Sequence, residues 1–203
     1  LIVNYAREDH RLMDEYINSD RYEMLKPNPF GAEHLRLREH VIAPMLNDRR
    51  IRVWHYTRLT DDEVISVKER LQSSTLTLLN ERLDALVRQG HLIDAEATTI
   101  HRHSPFHEQD NARSNRFWTV SVPTHCTRSG VVPLLSSWGG ESAYFWLRDE
   151  QVAAKLKNIG RPRILEIETS LDESLNAFTV AETVLQAWAK THGAPNEISG
   201  HDL

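Results

Sequence analysis

The strand-forming runs of this chain are short, few and unevenly spaced, and no other feature constrains its fold as much. Residues 51–56 are β-branched and aromatic, with Ile51, Val53 and His55 alternating against Arg52, Trp54 and Tyr56. Similar patterns recur at 116–122, 142–147 and 163–168. Helical periodicity fills the gaps between them at irregular lengths, so no βαβ repeat emerges. No glycine fingerprint of the doubly wound or phosphate-loop kind follows a strand. The expected class is therefore α+β: a split, mixed or antiparallel-rich β-sheet core with flanking helices and an N-terminal helical segment.

The helices are marked by their ends and their apolar faces. Residues 1–26 predict a charged helix with Leu12, Met13, Tyr16 and Ile17 on one side. The stretch from Lys26 to Gly31 holds two prolines and a glycine and predicts a loop. A helix over 32–46 would turn Leu35, Leu37, Val41, Ile42 and Leu46 inward. Thr60 with Glu63 has capping-box spacing and opens a helix to about residue 71. A second helix over 78–89 carries Leu79, Leu83, Leu86 and Val87 and ends at Gly90. Residues 101–115 read as a polar loop, 130–138 as a short apolar helix or turn, and 149–156 as a helix. A last helix over 179–190 predicts a buried stripe of Val180, Val184, Leu185 and Trp188. The expected organisation is a helical segment over 1–48 and an α+β core over 49–203, as one compact unit overall. The leading Leu1 and the unpatterned tail over 193–203 suggest a fragment or a truncated terminus.

The bulk composition narrows the class. A chain of 203 residues, 40% hydrophobic and 26% charged, can bury a sizeable core. A net charge of −5 gives no global attraction to nucleic acid, though it is compatible with a local basic patch. One cysteine, Cys126, cannot form an internal disulfide. No apolar run approaches the ~20 residues needed to cross a bilayer, and the N-terminus lacks the pattern of a secretion signal. The expectation is a cytoplasmic chain with no membrane association, in the producing cell or in a target cell.

Two segments carry candidate chemistry. In residues 53–59 a strand delivers His55 and Thr57 just ahead of a capped helix. In residues 136–144 Trp138 and two glycines lead to Glu141, which is expected to head an aromatic strand. A carboxylate set by such a turn can stabilise a developing cation. Each residue also has a structural reading: His55 satisfied by backbone, Glu141 as surface charge, and Trp138 as a core plug.

The order of these parts, strand with His-Tyr-Thr, then Phe117 and Trp118, then Trp138-Gly139-Gly140-Glu141, resembles the ADP-ribosyltransferase superfamily in its diphtheria-toxin-like His-Tyr-Glu branch. The resemblance covers about residues 51–170. It implies NAD as substrate, no metal, and transfer of ADP-ribose to a macromolecular acceptor, protein or nucleic acid. It implies that His55 holds a ribose and that Glu141 is the catalytic carboxylate. Tyr56, Thr57 and Arg58 would lie with His55 on the NAD side, and Trp138 would stand in the loop before Glu141. The family's middle tyrosines have no counterpart, because no Tyr lies between Tyr56 and Tyr144; Phe117 or Trp118 would stack on nicotinamide instead. Arg58, Arg113 and Arg116 are candidate pyrophosphate partners. Glu166 and Glu168 read as the solvent face of an alternating strand. By analogy such a chain is a toxin, effector or defence factor, and the helices of 1–46 a partner-docking surface. Two alternatives stand beside this reading: a non-catalytic interaction module that keeps the fold, and a zinc-binding regulator using His101, His103 and His107.

Overall fold

The β-branched run does form a strand, β1 (Arg50–Leu59), in the computed structural model, which describes residues 1–19, 25–47, 49–171 and 175–195. Within the expected first helix, 20–24 lie outside the described residues, as does the tail beyond 195. β1 pairs antiparallel with β2 (Arg161–Ser170), the strand expected at 163–168. The fold is α+β with flanking helices, and its sheet is small, two strands.

The other two strand-like runs do not become strands. Residues 116–122 contribute isolated antiparallel bridges, Trp54 with Val120 and Ser74 with Arg116. Trp118 is 63% exposed and Val122 49% exposed. Among the described residues nothing buries Trp118, Val120 or Val122, so packing does not support a full ladder there. Residues 142–147 were expected to be a strand, but the chain forms a helical turn there, α9 (Glu141–Tyr144). Ala143 is buried while Phe145 is exposed, and the Ser142 hydroxyl bonds back to the Gly139 carbonyl at 2.6 Å. The expected loop at 101–115 instead holds the end of α6 (Asp94–Arg102) and α7 (Phe106–Arg113). Ile100 and Phe106 anchor these polar helices in the core.

Packing divides the chain into two units, residues 53–167 and residues 1–52 with 168–203. In the second of these, α1 (Ile2–Ile17), α2 (Gly31–Leu37), a π-helical turn (Arg38–Ile42) and α3 (Ala43–Leu46) accompany α11 (Leu175–Thr191). α11 buries Ala181, Leu185 and Ala189 at four-residue spacing, and leaves Val184 and Trp188 exposed. Of the expected stripe Leu185 is buried, while the rest of the inward face is made by the two alanines, whose small side chains leave room for close packing. Leu35 and Val41 are likewise exposed, and His34 is buried in their place. Its ring stacks on Tyr5 at 3.7 Å, and its Nε2 lies 3.0 Å from the Glu182 carboxylate, which also accepts from Arg38 at 3.0 Å.

In the unit of residues 53–167, α4 (Asp61–Glu69) and α5 (Leu76–Arg88) join α6, α7, α8 (Val132–Ser136), α9 and α10 (Glu150–Leu156). Thr60 caps α4 through the full capping box with Glu63, and Thr75 caps α5. The core gathers Leu79, Leu83, Leu86, Ile100, Trp138 and Leu156 among others. Gly160, at φ +66°, lies so close to β1 that a Cβ would sit 2.4 Å from the Leu59 carbonyl. No described helix is long and apolar enough to cross a membrane.

Candidate functional site

β1 turns His55, Thr57 and Leu59 to one face, and that face borders a cavity of about 280 Å³. Thr60 starts α4 so that Glu63, Ser66, Val67 and Arg70 line a second wall. The inward side of α5, Leu78, Arg82, Ala85 and Leu86, lines a third, with Phe117 and Leu165 completing the enclosure.

His55 is held in a defined state. Its Nδ1 lies 2.7 Å from the Trp118 carbonyl. A carbonyl can only accept, so Nδ1 carries the proton and a neutral ring presents Nε2 as a lone-pair acceptor. Burial depresses the pKa of the ring and the Arg82 charge adds to this, against the opposing Trp118 hydrogen bond, so the neutral form dominates near neutral pH. The Phe117 ring lies 4.5 Å away, tilted by 38°.

Glu63 is the most heavily bonded carboxylate at the cavity. It accepts from the Thr60 backbone N–H at 2.8 Å, from Arg82 Nε at 2.8 Å and from the Trp138 indole at 2.9 Å. Trp138 is fully buried, and the Arg82 guanidinium lies over its ring at 4.5 Å. Two side chains from distant segments therefore fix the carboxylate that closes the α4 cap. The capping spacing marks Glu63 only as a helix start, and Arg82 reads as one more charge on α5. Neither is legible in sequence as part of a site.

The residues expected to act with His55 fall in several places. Thr57 and Phe117 line its cavity; Trp138 and Glu141 do not. Trp138 plugs the core. Gly139 and Gly140 both take positive φ, +81° and +57°, as the glycine pair leads one to expect. They lead Glu141 into a helical turn rather than a strand. Its side chain is 44% exposed and accepts from Arg113 at 2.8 Å. Burial and the Glu141 charge push the neighbouring Tyr144 hydroxyl up to about 12. Tyr56 points away from the cavity set, is buried, and bonds both the N–H and the carbonyl of Thr124 at 2.7 Å. Trp118 offers its carbonyl to His55, and its ring lies beneath Arg116 at 5.7 Å.

Two of the three candidate phosphate partners are engaged elsewhere. Arg58 donates to the carbonyls of Ile159 and Leu135 at 2.8 and 3.3 Å. Arg113 holds Glu141 and Gln109. The histidine loop is helical, with His103 bonded to the Thr99 carbonyl and His107 to the His101 carbonyl. Among the described residues no group of three or more His, Cys, Asp or Glu side chains is placed to hold a metal ion. Glu166 and Glu168 are exposed on β2.

Comparison with protein-family models, with curated proteins and with solved structures returns no match for this chain.

Proposed function

We propose that the chain is an NAD-dependent ADP-ribosyltransferase, and that the His55 cavity receives a ribosyl portion of the dinucleotide. The observation that carries this is the state of His55: a neutral ring, fixed by the Trp118 carbonyl, that offers an acceptor beside Phe117 in a cavity. A ribose hydroxyl is a donor that matches it. In the reaction the C–N bond between ribose and nicotinamide breaks, and its electron pair leaves with nicotinamide. The ribosyl carbon becomes an oxocarbenium ion and then accepts a lone pair from the acceptor nucleophile, which gives up its proton. A carboxylate near that carbon stabilises the cation. Glu141 takes this part in the reading, set by the two glycines and held by Arg113.

Nicotinamide release from NAD by the purified chain, measured beside Glu141→Gln and His55→Ala, tests this. The expected result is release that falls at least ~100-fold in the Gln variant, the scale for loss of a positioned charge. Absence of both release and NAD binding, with and without cell lysate as acceptor source, overturns it. A second reading, a nucleotide-binding module without catalysis, is favoured by one observation: Glu141 does not line the His55 cavity. NAD binding without release, unchanged in Glu141→Gln, supports that reading.

A further inference from the structure

Thr57 is 6% exposed, and its hydroxyl has no hydrogen-bond partner among the described residues. Alternation along β1 places it two positions from His55, on the face that borders the cavity. Its Oγ1 retains accessible surface, unlike the enclosed Nη2 of Arg82, so this hydroxyl opens toward the cavity rather than into packed protein. Valine has the same shape and suits a strand equally well, without the cost of a polar group left unpaired inside the fold. The packing of β1 therefore does not call for a hydroxyl here.

The cavity around this pair is neither basic nor large. Asp62, Glu63 and Glu81 outnumber Arg70 and Arg82 in its lining. Glu63 and Arg82 hold each other through the bond from Arg82 Nε at 2.8 Å. Leu59, Val67, Leu78, Leu86, Phe117 and Leu165 supply apolar wall. The volume of about 280 Å³ lies at the low end for small-molecule sites and suits a ring-sized body. At two strand positions apart, the Cα atoms of His55 and Thr57 are about 6.6 Å from each other. One ligand hydroxyl, bonded at ~2.8 Å on either side, spans most of that gap. It donates to the neutral His55 Nε2 and accepts from the Thr57 hydroxyl. An anion offers only acceptors, so it leaves Nε2 unmatched and meets an acidic lining.

We propose that His55 and Thr57 together bind one uncharged hydroxyl on a ring-shaped, mostly apolar ligand, and that the cavity keeps phosphate and carboxylate groups outside. The hydroxyl belongs to a nucleoside sugar or to a ring alcohol, which share this chemistry. The acceptor half rests on the reading of His55 given above; the Thr57 half and the apolar wall do not.

NMR titration of the full chain, followed at the amides of Thr57, Leu78 and Phe117, tests this on the wild type and on Thr57→Val. The probes are benzyl alcohol, toluene, benzoate and adenosine. Benzyl alcohol is expected to bind the wild type about fivefold more tightly than Thr57→Val, the scale of one neutral hydrogen bond. Toluene binds both chains alike, and benzoate binds the wild type more weakly than benzyl alcohol does. Benzyl alcohol binding that Thr57→Val leaves unchanged, or benzoate binding as tight as that of the alcohol, overturns the proposal; adenosine binding to the same chains then leaves the ribosyl reading standing. Adenosine binding that Thr57→Val weakens assigns the hydroxyl to a sugar and supports both. Benzyl alcohol binding that depends on Thr57, with no adenosine binding, keeps the proposal and removes the ribosyl reading. No binding of any probe overturns both. Should Thr57→Val fail to fold, the wild type decides by its preference for benzyl alcohol over benzoate, and equal affinity overturns the proposal.

Discussion

His55 shows how one backbone contact sets the chemistry of a side chain. The Trp118 carbonyl selects the tautomer, and burial keeps the ring neutral. The folded pKa lies below that of the unfolded chain, which protonates near ~6.5. Above that pH neither state binds the proton and His55 leaves stability unchanged. As pH falls below it, the unfolded chain takes up the proton first, so stability is lost down to the folded pKa. Urea denaturation across a pH series should therefore show a steeper loss below about pH 6.5 for the wild type than for His55→Gln. Equal slopes would remove the case for a ring held neutral by burial.

At the scale of elements, the tightest requirement is where β2 begins. Gly160 has φ +66°, and an added Cβ would meet the Leu59 carbonyl at 2.4 Å, backbone that cannot swing aside. Gly160→Ala should cost at least about 2 kcal/mol, from the strained φ together with a forced shift of β1. Denaturant midpoints of the two chains measure this. A change within ~0.5 kcal/mol, the range of ordinary surface substitutions, would mean that the approach of the strands is looser than described. Because β1 also carries His55 and Thr57, the same variant should weaken whatever the cavity binds.

At the scale of the whole molecule, one of the two packing units adds a buried polar group to its apolar interior. Residues 53–167 have an apolar core, and residues 1–52 with 168–203 bury Leu12, Ala181, Leu185 and Ala189 together with His34, which meets Glu182 and Arg38. Burial alone would raise the Glu182 pKa, but the His34 hydrogen bond and charge, with those of Arg38, outweigh it and bring the carboxyl below its usual value. A lowered carboxylate pKa stabilises the fold above the unfolded value of ~4.3, and that stability is lost as pH falls through the folded value. Glu182→Gln should therefore cost about 1–3 kcal/mol near neutral pH and progressively less in acid. Amide hydrogen exchange followed separately in α11 and α5 would locate the loss. Unchanged protection in α11 at neutral pH would contradict it.

Local chemistry alone determines much of this chain. The capping box at Thr60 and Glu63, the strands around 51–56 and 163–168, the apolar face of α5 and the positive φ at Gly90, Gly139 and Gly140 all follow from residue types at short spacing. His55 and Thr57 share a face because β1 alternates, whereas Phe117 lies outside any strand and was reached only through the family resemblance. Tertiary structure decided the rest. The inward face of α11 was set by where Ala181 and Ala189 allow contact, and the helical turn at Glu141 by what Ala143 and Ser142 bury and bond. The junction of Glu63, Arg82 and Trp138 joins residues up to 75 positions apart, and no local pattern encodes a hydrogen bond over that separation.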